Sequence, residues 1–538
     1  MQPNRSRDDV LHTTPAFPAG AHTSRVVPAF PQPILTSAAT HDGRWSAGRI
    51  PHWRRYSTLS TPGLPRPPGQ ALLARYLTLP YRAPTDDEPP STRLRTRVYN
   101  RGVPERDIDR EIRRLALPSL GALLIEPLLV AVDSAMVGHL GTSELAGLAL
   151  ASTVLTTIVG LCIFLAYATT ASTARLFGAG RHREALSRGI DGIWLALILA
   201  VILATGLLAF GGPLLELFGP APDVALQARR YLHTSAFGLP GMLVVLAANG
   251  TLRGLGDTTT PFYAAAWGAA ANVPLNFLLI YPAGWGVAGA GAGTALAQTC
   301  MGVWLVSVVI RRARREQART SFHGAGVLAS LSSAIPLIIR TLCLRAAIIL
   351  QITAATRLGT EALASNQITM TVWNFAAYGL DALATAAQVL VGQGLGAKDV
   401  ARVRAVLARC LNRGVLTGGL LGVILLLLSP LIPALMTGDG AVRNLATHSL
   451  WVIAFCLPIA AVAYMLDGVL IGAGDARRLA WYMLASLLAL APCIAAVLAL
   501  GHGQAGLLAL WAAYAGVFMA MRGATMLLRV RGEAWMGL

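Results

Sequence analysis

The amino-acid sequence predicts an all-α polytopic membrane protein with twelve transmembrane helices, arranged as two six-helix bundles related by a parallel internal repeat. Three observations predict this fold class. Of the 538 residues, 54% are hydrophobic and 13% are charged, which is more apolar than a soluble core requires. The apolar residues are gathered in long segments, and short motifs recur after 218 residues. We therefore expect most of the chain to lie within a lipid bilayer.

Twelve apolar segments are long enough to cross a hydrocarbon core of about 30 Å at about 1.5 Å per helical residue. The predicted spans are 115–137, 146–172, 189–215, 231–251, 260–282, 288–310, 336–356, 362–391, 406–435, 446–470, 479–500 and 503–527. An even number of spans places both ends of the membrane domain on the same side.

Residues 1–110 differ in composition from the rest of the chain. This arm holds 16 of the 30 prolines and 16 arginines, and it has no apolar run long enough to form a span or a core. Such a composition predicts a disordered segment. A transit peptide, or a start codon assigned too far upstream, would have the same composition. The predicted bundles are then 111–320 and 321–538.

The net charge of +18 reflects membrane topology rather than nucleic-acid binding. If the arm is cytoplasmic, the loops predicted on that side carry most of the Arg and Lys residues between the spans. The opposite loops carry Arg229, Arg230, Arg357 and Arg443. This asymmetry is what the positive-inside rule predicts for cytoplasmic termini. The expected location is the cell inner membrane, with no nucleic-acid partner.

The internal repeat is visible in two pairs of motifs. "NGTLRGLGD" at 249–257 matches "DGVLIGAGD" at 467–475, and "LGTSELA" at 140–146 matches "LGTEALA" at 358–364, each pair 218 residues apart. Six spans fit within this period, so the two halves enter the membrane in the same orientation. Transporters built from parallel repeats hold their cavity between the two bundles near mid-membrane.

The glycines of the first motif also have a structural explanation. Gly254 and Gly256 are expected to end a span and allow a tight turn, and Asp257 is expected to cap the next helix, whose first turn contains Pro261.

Motifs of the common enzyme classes are absent from the sequence. The single lysine, Lys398, stands in "GAKD", so there is no Walker A loop, and neither HExxH nor GxSxG occurs. ATP hydrolysis is therefore excluded, and an intramembrane enzyme is disfavoured. We expect no metal and no cofactor. The six cysteines fall in or beside apolar runs and are interpreted as packing residues.

Ionisable and amide side chains inside the spans are the candidate functional residues, because a charge near the bilayer centre costs several kcal/mol and is usually kept for a purpose. Glu126 and Asp133 are two helical turns apart in the first span and are expected on one face. Asn272 and Asn276 lie one turn apart around Pro274, which removes a backbone hydrogen bond. Together these groups are expected to form a polar pocket.

Our hypothesis is that Asp133 binds and releases the coupling cation, with Glu126 as a second candidate. Burial disfavours the charged form of a carboxylate, so its protonation can change as the cavity opens to one side or the other. A carboxylate satisfied by neighbouring donors is the structural alternative. For Arg345 and Asp381 the expected role is a structural ion pair within the second bundle.

The motifs "VDSAMVGHLG", "NGTLRGLGDTTTP", "ALASNQI" and "QVLVGQGLGAKD", in this order over about residues 111–530, resemble the multidrug and toxic compound extrusion (MATE) family. The similarity is greatest to the branch named for DNA-damage-inducible protein F. The resemblance implies export of organic, often cationic and amphipathic, compounds in exchange for H⁺ or Na⁺ by rocking of two lobes.

Carried over to this sequence, the resemblance assigns the acidic position of the first helix to Asp133, and the polar pair of the fifth helix to Asn272 and Asn276. It places a pocket hydroxyl at Thr294. Position 276 departs from the pattern, because prokaryotic relatives often have a second Asp there. In the second lobe Gln388 replaces a usual Glu, which leaves Asp381 as the acidic candidate for the substrate and cation pocket.

Other functions remain open at this stage. A flippase for lipid-linked sugars would need several cavity Arg or Lys to hold a diphosphate, whereas the spans suggest one deep Arg. A channel or receptor scaffold would not need two lobes around a titratable centre. For an exporter, Tyr167, Trp373 and Tyr378 are candidate cavity aromatics. The expected partners are a small organic substrate and the lipid bilayer, and the expected state is a monomer.

Overall fold

The computed structural model describes residues 105–501 and 503–537, and these residues form helices without a β-strand. The helices are α1 Glu105–Gly138, α2 Thr142–Leu161, α3 Phe164–Gly178, α4 His182–Glu216, α5 Pro222–Ala236, α6 Leu239–Gly254, α7 Thr259–Ile280, α8 Val287–Arg315, α9 Gly324–Arg357, α10 Thr360–Gly396, α11 Val400–Leu428, α12 Leu431–Met436, α13 Gly440–Ala473, α14 Ala476–Leu500, α15 Gly503–Trp511 and α16 Met519–Arg531.

The predicted count of twelve spans is confirmed. Within the described residues, eleven helical segments are long and apolar enough to cross a membrane, and the pair α5 and α6, bent by 51°, makes up the twelfth. The second span consists of α2 and α3, and the last consists of α15 and α16 joined by a π-helical segment, Ala512–Phe518. Spans one to six form the first bundle and spans seven to twelve form the second.

The first helix begins earlier than predicted. Most of the predicted arm, residues 1–104, lies outside the described residues, but 105–110 are helical rather than disordered. The reason is a polar anchor to the second bundle: Asp109 forms an ion pair with Arg413 of α11, and Glu111 pairs with Arg402 at 2.7 Å. On the other side of this turn, Ile108 is fully buried.

The internal repeat is present in the packing as well as in the sequence. In the first bundle, Gly250 of α6 lies against the backbone of Ala166 in α3, where a Cβ would overlap the carbonyl oxygen. In the second bundle, Gly468 of α13 lies in the same way against Ala384 of α10. Both contacting residues are shifted by 218. Small residues let each helix pair approach at backbone distance.

The turn predicted for the first repeated motif is also confirmed, and the second copy of the motif forms the same turn. Gly256 has φ 82° and its counterpart Gly474 has φ 78°, a left-handed conformation that glycine adopts without strain. Asp257 then accepts a hydrogen bond from the backbone N–H of Thr260 at 2.9 Å, as a capping residue does. The same carboxylate forms an ion pair with Arg312, which joins the turn to α8.

The two bundles meet most closely where α10 packs against α1 and α3. Along this contact, glycines lie against backbone of the opposite bundle: Gly178 against Gln393, and Gly396 against the carbonyl oxygen of Arg175. Nearby, Nε2 of Gln393 donates to the carbonyl of Gly254 at 3.1 Å. We call this contact the glycine seam. It lies at the end of the molecule that carries the arginine-rich loops.

Candidate functional site

Asp133 lies at the centre of a buried polar cluster in the first bundle. Its side chain is 8% exposed. Oδ1 accepts a hydrogen bond from Nδ2 of Asn276 at 2.7 Å, and Oδ2 accepts one from the hydroxyl of Thr294 at 3.4 Å. Asn276 also donates to Oδ1 of Asn272 at 3.1 Å, and Asn272 donates to Thr294 at 3.3 Å. The structure thus brings four of the predicted residues together.

Three helices hold this cluster in place. Asp133 comes from α1, the two asparagines from α7 and Thr294 from α8. Helix α8 can approach α7 closely because it carries Gly293, where a Cβ would overlap Oδ1 of Asn276. That amide oxygen is buried and has no hydrogen-bond partner. An unpaired buried acceptor is costly, so this amide oxygen is a destabilising feature that the cluster retains.

The carboxylate of Asp133 has no charged partner among the described residues. In the described part of the chain, none of the ion pairs includes Asp133. Nor do three His, Cys, Asp or Glu side chains converge anywhere in that part as a metal site would require. The groups that can hold a small cation here are therefore one carboxylate, the amide oxygens and a hydroxyl.

Sequence reasoning missed one member of this cluster, Tyr231 of α5. Its phenol is buried and lies within electrostatic range of Asp133, beside Thr294 and Ser152 of α2. Tyr231 is the first residue of a predicted span, 231–251, and a single tyrosine at that position gives no sequence signal for such a contact. Its helix, α5, forms one bent span with α6, at an angle of 51°.

Glu126 is separate from this cluster. Its side chain is exposed, and its charge acts on the hydroxyl of Tyr378 in α10, as does that of Arg345 in α9. The guanidinium of Arg345 in turn lies against Gly160 of α2. These residues come from both bundles and line the space between them, so Glu126 faces the second bundle while Asp133 points into the first.

The predicted ion pair between Arg345 and Asp381 is wrong, and Asp381 does not belong to the Asp133 cluster. Among the described residues no ion pair joins these two side chains. Asp381 instead accepts a hydrogen bond from the hydroxyl of Tyr167 at 3.4 Å, across the two bundles. The nearest positive charges that act on it are those of Arg253 and Arg340. Helix rotation, which sequence spacing does not fix between different helices, separates the predicted partners.

A buried ion cluster beside Asp381 was also missed. Asp467 of α13 accepts from Nε of Arg340 at 3.2 Å and from Nη2 of Arg522 at 3.2 Å, and it pairs with a second nitrogen of Arg340. All three side chains are at most 7% exposed. Arg340 also stacks over the ring of Tyr167 at 5.5 Å. Each charge stands within a predicted span, so a systematic search for charges in every span would have found them.

Of the three candidate cavity aromatics, Trp373 is in a different environment from the one predicted. It is 3% exposed and packs inside the second bundle against Tyr514, with ring centroids 5.7 Å apart, and against Trp511 at 6.3 Å. The large apolar surface of the indole ring is better buried in this core. Tyr167 and Tyr378, described above, do lie at the boundary between the bundles.

In the second bundle, the residue at the repeat position of Asp133 is uncharged. Position 351, 218 residues further on, is Gln351. It is fully buried and donates a hydrogen bond to Asn366 at 2.5 Å. The positions that correspond to Asn272 and Asn276 are Leu490 and Ile494. The polar cluster of the first bundle therefore has no titratable counterpart in the second.

Two six-helix bundles with the same orientation, and a buried carboxylate that has no cationic partner among the described residues, are typical of a membrane transporter. The MatE family profile matches residues 118–278 and 323–496, one segment in each bundle. The chain belongs to the MatE family, the transporters of the multidrug and toxic compound extrusion class.

Relatives and solved structures agree with this assignment. The chain is 30% identical to DNA damage-inducible protein F of Escherichia coli over 77% of this chain and 90% of that protein. It is 30% identical to Protein DETOXIFICATION 44, chloroplastic, of Arabidopsis thaliana over 68% and 73%. The Vibrio cholerae MATE transporter VcmN in the bent form has the same fold, with a TM-score of 0.73 at 19% identity over 80% of this chain and 99% of that chain.

Proposed function

We propose that this protein is an antiporter that exports organic, cationic and amphipathic compounds in exchange for H⁺ or Na⁺. The observation that carries the proposal is the uncompensated carboxylate of Asp133, 8% exposed and held by two neutral donors. A buried charge without a partner is strongly unfavourable. A proton, a sodium ion or a cationic substrate would each neutralise it, and only one of them can do so at a time.

Such competition is sufficient to couple two fluxes. If the coupling ion and the substrate exclude each other at Asp133, each displaces the other, and a gradient of one drives transport of the other. The ion must also bind the inward-open and outward-open conformations with different affinities. A ligand with equal affinity for both does not shift the equilibrium between them. Rotation of the bundles that changes the water access of Asp133 supplies this difference.

The closed glycine seam supports alternating access. The seam joins the bundles at the end with the arginine-rich loops, which the positive-inside rule assigns to the cytoplasm. At the opposite end, α2 makes only slight contact with the second bundle. On this reading the conformation is closed to the cytoplasm and open outward, with both termini in the cytoplasm and the protein in the cell inner membrane as a monomer.

A cross-link across the seam is expected to stop transport reversibly. The Cβ of Ala174 in α3 lies 2.9 Å from a Cβ built on Gly392 in α10, whereas the two Cβ atoms of a disulfide are about 3.8 Å apart, so the bond forms only if the helices separate slightly at this point. In a background without native cysteines, oxidation of the Ala174→Cys, Gly392→Cys variant should abolish flux, and reductant should restore it. Each single-cysteine variant is the control. Full flux of the cross-linked protein would contradict alternating access at this seam.

A flippase for lipid-linked sugars is less well supported. The earlier premise of one deep Arg is wrong, because Arg340 and Arg522 are also buried. Both, however, bind the same carboxylate, that of Asp467, so their donors point to Asp467 and half of their positive charge is neutralised.

The proposed function is tested by flux of a fluorescent organic cation in proteoliposomes of the purified protein. We expect uptake or release to follow an imposed proton gradient or an imposed sodium gradient, and to stop when that gradient is collapsed. Protein-free liposomes under the same gradients are the control. Flux that ignores both gradients would contradict cation coupling, and saturation with substrate would exclude a channel.

A further inference from the structure

A second polar cavity lies apart from the Asp133 cluster, at the end of the molecule that carries the arginine-rich loops. It is a cleft of about 450 Å³ between the bundles. The first bundle contributes α3 and the start of α4, and the second contributes α9 and the turn between α13 and α14. The two bundles therefore share its walls.

The charged side chains lining this cleft are all basic. They are Arg175, Arg181 and Arg188, and the described lining includes no Asp or Glu. Arg181 is balanced by Glu184 of its own helix. Arg175 donates to the carbonyl of Ala473 at 3.0 Å.

Arg188 donates to the carbonyl of Gly326 at 3.3 Å. Neither Arg175 nor Arg188 takes part in an ion pair within the described chain. The nearby carboxylate of Asp191 is already paired with Arg319 at 3.0 Å. Two guanidinium groups thus face the cleft without a counter-charge.

The rest of the lining is amphipathic. Hydroxyl groups of Ser172, Ser330 and Ser333 stand among the arginines, whereas the end of the cleft that reaches into the bundles is lined by Leu165 and Leu337. Arginine binds phosphate with paired donors, and serine hydroxyls add further hydrogen bonds. An anion with an apolar tail can contact the arginines and serines at one end of such a cleft and the leucines at the other. A small free anion can contact only the polar end.

We propose that this cleft binds the phosphate group of an anionic phospholipid from the adjacent leaflet, with an acyl chain along its apolar end. Because the walls come from both bundles, the bound lipid bridges them and favours the arrangement in which the seam is closed. This inference concerns a regulatory site and does not depend on cation coupling at Asp133.

Native mass spectrometry of the purified full-length protein tests the site. Wild type is titrated with dioleoylphosphatidylglycerol, dioleoylphosphatidylcholine or glycerol 3-phosphate. We expect preferential binding of phosphatidylglycerol, reduced about fivefold in Arg188→Gln and about fivefold in Arg175→Gln, since each cation near a membrane surface is worth about 1 kcal/mol toward an anionic lipid. Arg314→Gln removes an exposed arginine from the last turn of α8 and should bind like wild type.

The remaining outcomes separate the sources of the phosphate. Ala168→Phe narrows the cleft without changing its charge. It should weaken the binding of phosphatidylglycerol but not the binding of glycerol 3-phosphate. Equal binding of the two phospholipids by wild type, or unchanged phosphatidylglycerol binding in both arginine variants, would overturn the site. If glycerol 3-phosphate binds as tightly as phosphatidylglycerol, the proposal that the occupant is a lipid is contradicted.

Discussion

Asp133→Asn is expected to lose gradient-driven transport completely, with flux at the level of protein-free liposomes, while the protein still folds. The amide keeps an oxygen that can accept the hydrogen bond from Asn276, which Asp133 now accepts at 2.7 Å. It cannot bind a proton or a sodium ion as a carboxylate does. Since the substitution removes an unbalanced buried charge, the thermal unfolding temperature in detergent should stay the same or rise.

Two matched variants make this result interpretable. Glu126→Gln makes the same chemical change in the same helix, but at an exposed residue outside the cluster, and it should retain gradient-dependent flux. Asp133→Glu keeps the carboxylate and should retain part of the gradient-dependent flux. The assignment fails if Asp133→Asn transports like wild type. A variant that loses flux only because it unfolds would show a lowered unfolding temperature, which assigns Asp133 a structural role.

Asp467→Asn is expected to have the largest effect on stability. The substitution leaves the guanidinium groups of Arg340 and Arg522, at most 7% exposed, without their shared counter-charge. Removing one partner of a buried ion pair costs about 3–5 kcal/mol. We expect a marked fall in folded yield and in the unfolding temperature measured in detergent.

The neighbouring ion pair provides the control. Asp475 pairs with Arg529 at 2.7 Å, but both side chains are more exposed, at 15% and 22%, and Asp475 pairs with one arginine rather than two, so Asp475→Asn should cost less than Asp467→Asn. If Asp467→Asn does not fold, Arg340→Gln combined with Asp467→Asn keeps the net charge of the cluster and should recover folded protein. Equal stability of the Asp467→Asn and Asp475→Asn variants would contradict a shared buried counter-charge.

The parts of this molecule that depend on local sequence could be predicted, and those that depend on helix rotation could not. Apolar segment length gave the twelve spans, and the motif offset gave the repeat. Asn272 and Asn276 could be paired because they lie one turn apart on one helix. Their contact with Asp133 requires two helices to face each other; it is expected because polar groups inside the spans should share a pocket, and the family resemblance assigns the same residues.

The errors have the same physical origin. Arg345 and Asp381 are on neighbouring helices of one bundle, yet their side chains point in different directions, and Asp381 meets Tyr167 of the other bundle instead. Tyr231 interacts with the Asp133 cluster from α5, another helix of the bundle. Inter-helix geometry of this kind depends on the packing of the whole bundle, and no short motif encodes it.

The uncharged Gln351 at the repeat position of Asp133 has a consequence for the electrical balance of transport. With a carboxylate at only one of the two equivalent positions, one monovalent ion is expected to enter per cycle through this pair of positions. Exchange for a singly charged organic cation would then be electroneutral and insensitive to membrane voltage. Exchange for a neutral compound would move one charge inward, so the membrane potential would help to drive export.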